Sequence, residues 1–188
     1  MTKSKFPPVS KLSLSIITIV FFTISLVSHS ETISTTPGGQ KTVVKFMESL
    51  ARYVTWPDSS FSGSESPFKY CLVGDTAIAT PLTEKLSRKK VKKRAFVIKL
   101  LTFADVEQVK DCHLVYIAAS DVPQLRSTIA ALDGLAILTT GDFKPFAAHG
   151  GMVGFVGAGS KGSLQINKKR LEGSGLKASS KLYRVSTL

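Results

Sequence analysis

Cysteine is scarce in this chain, with two among 188 residues, and histidine nearly so, with three. That excludes a disulfide-dense scaffold and leaves too few convergent ligands for a metal centre built from either residue. Acidic residues are short as well, 13 against 25 lysines and arginines, which sets the net charge at +12. A bilayer span needs roughly 20 apolar residues, and the uncharged run at 12–27 has 16. Also missing are a G-x-S-x-G nucleophile elbow and a phosphate loop ending in Gly-Lys-Ser/Thr. What is present is apolar material: 43% hydrophobic against 20% charged residues. This is enough for one buried core, and it excludes disordered, collagen-like and mucin-like chains.

The first thirty residues read as a targeting segment. Lys3, Lys5 and Lys11 precede the apolar run, and Ser28-His29-Ser30 follows it with small residues where a signal peptidase reads. A basic start, an apolar middle and a small-x-small end make a secretory signal at 1–30, cleaved near Ser30. Three basic and no acidic residues precede Glu31, so cleavage lowers the charge only from +12 to +9. Outside the cytoplasm such a basic chain suits acidic proteins or anionic lipid more than nucleic acid. Export also places Cys71 and Cys112 in an oxidising compartment, where they are expected to pair.

Residues 31–40 end in Pro37-Gly38-Gly39 and read as a flexible lead-in, which leaves 41–188 as one domain. From Val43 the apolar residues Phe46, Met47, Leu50, Ala51 and Val54 form one face of a helix that Trp56-Pro57 terminates. Serine, glycine and proline then make 58–67 a surface loop. Short apolar runs at 70–73, 95–101, 114–118 and 135–138 suit strands covered on both faces. Helical patterns at 78–86, 105–109 and 123–132 separate them, the last capped by Asp121 with Gln124. Beyond Gly150, strands at 152–156 and 163–166 flank a glycine-rich turn, and Asn167 caps a short helix. The expected fold is α/β: a single layered domain with a mainly parallel central sheet, helices on both faces and a C-terminal antiparallel hairpin.

Few residues suggest chemistry. Gly157, Gly159 and Gly162 match G-x-G-x-x-G, but a strand follows where a dinucleotide site needs a helix, so the spacing reads as a hairpin turn. His113, beside Cys112, and the isolated His149 suit structural roles better than ligation. Ser120, Asp121 and His149 could be assembled into a triad only without the usual sequence context. No cofactor and no metal are expected. Arg88-Lys89-Lys90 and Lys92-Lys93-Arg94 crowd six cations into seven residues, a solvated segment able to steer acidic partners and lacking the interleaved aromatics of a nucleic-acid platform. If the Cys71 and Cys112 strands are neighbours, a bond there closes a loop worth about 4 kcal/mol. Both a structural staple and a redox switch remain open.

Six segments in order resemble the YfiR-like family of periplasmic regulators of membrane diguanylate cyclases. They are Ala51-Arg52-Tyr53-Val54-Thr55-Trp56-Pro57, Tyr70-Cys71-Leu72-Val73-Gly74-Asp75, Asp111-Cys112-His113-Leu114-Val115-Tyr116-Ile117, Gly150-Gly151-Met152-Val153-Gly154-Phe155-Val156, Leu164-Gln165-Ile166-Asn167 and Gly175-Leu176-Lys177-Ala178-Ser179-Ser180-Lys181-Leu182. The likeness runs from about Val43 to Val185. It implies a non-catalytic repressor that lowers cyclic-di-GMP and biofilm formation. Its partners would be the periplasmic portion of an inner-membrane diguanylate cyclase and an outer-membrane lipoprotein in the same circuit. It also implies a disulfide between Cys71 and Cys112, without the second cysteine pair some members carry. The expected contact surface joins Arg52 and Trp56 to Ser179, Ser180, Lys181 and Leu182, with burial of Trp56 as the competing reading. A homodimer is left open by the sequence. The alternative function is a small-ligand sensor with its crevice near Gly74-Asp75 and Ser120-Asp121; an enzyme using that crevice ranks below it.

Overall fold

The computed structural model describes residues 32–184, 186 and 187, so the signal segment lies outside the described residues. Order begins earlier than the composition suggests. Residues Ile33–Thr35 form a 3-10 turn, and helix α1 spans Pro37–Tyr53. The expected flexible lead-in is therefore corrected: its Pro37-Gly38-Gly39 is the first turn of α1. Proline at the first helical position is pre-set for helix, and the Thr36 hydroxyl accepts the Gly39 N–H at 3.1 Å. Gly39 is also a packing requirement, since a Cβ there would collide with the Ile33 carbonyl.

The remaining elements follow in order. They are β1 (Val54–Thr55), β2 (Phe68–Val73), α2 (Ala79–Leu86), β3 (Lys90–Val91), β4 (Arg94–Leu101), α3 (Val106–Val109), β5 (Leu114–Ile117) and α4 (Val122–Ala131). After them come β6 (Leu138–Gly141), β7 (Val153–Ala158), β8 (Lys161–Ile166), α5 (Lys168–Gly173), β9 (Lys177–Ala178), α6 (Ser180–Tyr183) and β10 (Ser186–Thr187). The main sheet has eight strands in the order β10-β8-β7-β6-β5-β2-β4-β3. Strands β4, β2, β5, β6 and β7 are mutually parallel, while β8 turns back on β7 as the expected hairpin.

Each face of the sheet carries its own core. On one, Phe68, Tyr70, Leu72, Leu114 and Tyr116 meet Val43, Met47 and Leu50 of α1 and Leu82 and Leu86 of α2. On the other, Cys71, Val73, Val115 and Ile117 meet Val109 of α3 and Leu125 and Ile129 of α4. Alternation along β2 and β5 feeds both layers, which is why their sequence reads as unbroken hydrophobic runs. Two caps are those the sequence announces: Asp121 accepts the Gln124 N–H at 2.8 Å, and Asn167 the Arg170 N–H at 3.1 Å.

A candidate partner-binding surface

The end of α1 and the C-terminal tail, far apart in sequence, meet through a two-stranded ribbon. Strand β1 pairs antiparallel with β9, Val54 opposite Ala178 and Thr55 opposite Lys177. The Tyr53 carbonyl then accepts the Ser179 N–H at 2.8 Å. This ribbon seats α6 beside the last turns of α1, over a shallow groove of about 370 Å³ lined by Phe46, Ser49, Tyr53, Leu164, Lys181, Leu182 and Arg184. Arg52, Ser180, Lys181 and Tyr53 are exposed there.

Two expected contact residues lie beneath this surface. Leu182 is 1% exposed and Trp56 6%, so neither offers its side chain to a partner. The Trp56 indole Nε1–H donates to the His113 carbonyl at 3.0 Å, and its ring meets Phe68 edge-on. Burial wins because the indole has both a ring to stack on and an acceptor inside. Ser179 is half-buried, its hydroxyl without a hydrogen-bond partner among the described residues.

Arg52 does not stand free. Its guanidinium and the Lys89 ammonium both donate to one Glu48 carboxylate oxygen, each at 2.6 Å. Burial pushes the Glu48 carboxyl up, yet the Lys89 hydrogen bond and the charges of Lys89, Arg52 and Lys85 outweigh it and hold it below the usual carboxylate range. Glu48 thereby ties α1 to the segment leading into β3. The sequence signal was an acid beside the apolar stripe of the helix, four residues before Arg52. The six-cation segment is a β-hairpin: Val91 is buried, Val91 pairs with Arg94, and Lys92 and Lys93 make the turn with φ of 48° and 73°.

His113 organises the loop at 58–67. Its Nδ1 accepts the Lys69 N–H at 2.9 Å, so the neutral ring carries its proton on Nε2 and donates it to the Ser60 carbonyl at 2.9 Å. Phe61 and Phe68 stack on the imidazole, and Arg94 lies 3.8 Å over Phe61 while bonding the Gly63 and Ser66 carbonyls. Burial lowers the His113 pKa; the charges of Lys69 and Arg94 add to this against the Ser60 bond, which raises it. Next to it, Cys71 and Cys112 form a disulfide with alpha carbons 6.0 Å apart, buried in the α3/α4 core. A polar pocket of about 300 Å³ lined by Ser60, Lys69, Lys110, Cys112 and His113 opens beside it, at the amino ends of β5 and β6.

At the carboxyl ends of the strands, where the alternative reading placed a ligand crevice, the Gly74 and Ser120-Asp121 positions are engaged by neighbouring side chains. The Phe103 ring covers Gly74 so closely that a Cβ there would lie 2.6 Å from Phe103 Cε2 and 2.9 Å from the Ala118 carbonyl. Asp121 caps α4, and the Gln124 side chain takes the Ser120 N–H. His149 lies 3.4 Å from Arg126, and no hydrogen bond joins it to Ser120 or Asp121 among the described residues. The glycines at 157, 159 and 162 belong to the β7–β8 hairpin, Gly157 facing Gly162.

These features define a three-layer α/β domain whose sheet is covered by helices on both faces, with charged side chains on the end of α1, the β3–β4 hairpin and the tail. A family model described as YfiR/HmsC-like matches residues 40–187, and the chain belongs to that family. No curated protein matches it. Among the described residues, no helix is long and apolar enough to cross a membrane.

Proposed function

We propose that this chain is a non-catalytic periplasmic regulator that binds the periplasmic portion of an inner-membrane diguanylate cyclase and represses it, lowering cyclic-di-GMP and biofilm formation. Family membership over 40–187 is the observation that carries this reading. The leader at 1–30 and the buried Cys71–Cys112 bond support it, since both suit an exported protein. An outer-membrane lipoprotein is the second partner in the proposed circuit.

The mechanism is differential binding. A regulator shifts its target only by preferring the inactive conformation, and no chemistry within this chain is needed. The proposed contact is the surface of Arg52, Ser180 and Lys181 around the α1–α6 groove, with Trp56, Ser179 and Leu182 supporting it from beneath. Binding of the mature chain to the purified cyclase tests it. Reversing both charges, Arg52→Glu with Lys181→Glu, is expected to weaken binding by about tenfold or more and to make the remainder less salt-sensitive. Unchanged affinity would remove this surface from the interface.

A further inference from the structure

Charge is divided unevenly between the two faces of the sheet. Helices α1 and α2 and the turn after α2 hold Lys41, Lys45, Arg52, Lys85, Arg88 and Lys89, all exposed except the half-buried Lys89. Their acids are Glu48 and Glu84, and Glu48 is already shared by Arg52 and Lys89. Around α3 and α4 the balance reverses: residues 102–133 carry Asp105, Glu107, Asp111, Asp121 and Asp133 against Lys110 and Arg126. Solubility alone asks for both signs interspersed over a surface, whereas a face of one sign steers a partner of the other.

The basic face is centred on a groove of about 660 Å³ between α1 and α2, larger than either pocket described above. Thr42, Val44 and Pro81 line it, with Lys41 and Lys45, one helical turn apart, from α1 and Lys85 from α2. The β7–β8 turn closes one end, where a Cβ on Gly38 would lie 3.6 Å from the Ser160 amide nitrogen. Among the described residues none of these three lysines is ion-paired, and Glu84 is the one acid on the groove.

We propose that this face docks on a bilayer containing anionic phospholipid, its lysines meeting the headgroup phosphates. Two properties select lipid over other anions. The three lysines are exposed and spread along the groove, which suits an array of mobile headgroups, whereas a free phosphate is held by charged donors converging on one point. Protein interfaces are enriched in aromatic residues and depleted in lysine, while here lysines predominate and no aromatic residue lines the groove. Lysine stems can also lie along apolar surface such as Val44 and Pro81 while the ammonium reaches outward. The inference concerns lipid alone and is independent of the proposed cyclase partnership.

Co-sedimentation of the mature, disulfide-intact chain with vesicles tests it. Binding is expected to vesicles of phosphatidylglycerol and phosphatidylcholine in equal parts, to be lost on raising the salt, and to be absent with phosphatidylcholine alone. Replacing Lys41, Lys45 and Lys85 together by glutamine is expected to weaken partitioning about a hundredfold, about fivefold for each lysine. The melting temperature should stay unmoved, because all three are exposed and glutamine matches lysine in helix propensity. Removing as many charges from the other face, as Lys110→Gln, Arg126→Gln and Lys144→Gln, is expected to leave partitioning nearly unchanged. Should the first triple variant fail to fold, the single variants carry the test. No binding to the anionic vesicles, or equal losses in the two triple variants, would overturn the proposal. So would displacement by free glycerol phosphate, or tighter binding to polyglutamate than to vesicles at equal charge concentration, which would assign the face to a small anion or to an acidic protein.

Discussion

Protonating His113 breaks a bond that the loop depends on, because Nδ1 must stay bare to accept the Lys69 N–H. Its pKa is depressed in the fold, first by burial, so the unfolded chain takes up the proton more readily. The stability this group contributes is present above its ordinary pKa of 6.5 and falls as pH drops below it toward the depressed value. Urea midpoints measured on both sides of that pH are expected to decline on the acid side, and His113→Gln to flatten the decline. The neighbouring disulfide contributes separately. Replacing Cys71 and Cys112 together by alanine is expected to lower unfolding free energy by about 4 kcal/mol, read from denaturant midpoints at neutral pH. Both partners are buried, which favours the staple over the switch. Trp56 marks what a single residue leaves undecided: an aromatic at a helix end suits a contact or a core, and only the position of the His113 carbonyl separates them.

Among the elements, the β3–β4 hairpin departs furthest from its local chemistry. A two-residue turn with both φ positive calls for asparagine and glycine, yet Lys92 and Lys93 occupy it, at a conformational cost of about 1–2 kcal/mol each. Lys92→Asn with Lys93→Gly is expected to raise the melting temperature, while the Glu48–Lys89 pair that ties the segment to α1 stays intact. Elements whose pattern agrees with their burial were legible beforehand: α1 from its apolar stripe, β2 and β5 from continuous runs, α4 and α5 from their caps. Strand β6 was not. The apolar run at 135–138 leads into it, but the strand itself is Leu138–Gly141, where Thr139 and Thr140 are buried through their hydroxyls. The Thr140 hydroxyl donates to the Val115 carbonyl, and that of Thr139 accepts the Met152 N–H. Satisfied polar side chains look like surface in a sequence. The start of α1 was hidden similarly, because Pro37-Gly38-Gly39 signals a turn unless the Ile33 backbone is known to press on Gly39.

At the scale of the whole molecule, alternating strands and helices specified the parallel layers and closing hairpin, and the six ordered segments specified the family. The proposed interaction surface was legible only in part. Arg52 and Lys181 carry a visible charge, whereas the ribbon joining β1 to β9 depends on long-range pairing that local pattern does not encode. The α1–α6 contact depends on that ribbon and on Leu182, so Leu182→Ala is expected to destabilise by about 2–5 kcal/mol and to weaken partner binding as the tail loosens. Repression of a cyclase is the central claim, and cellular cyclic-di-GMP with and without the gene tests it most directly. The account predicts a rise on deletion that the wild-type gene reverses and the Arg52→Glu, Lys181→Glu variant does not. An unchanged or lower level on deletion would contradict it.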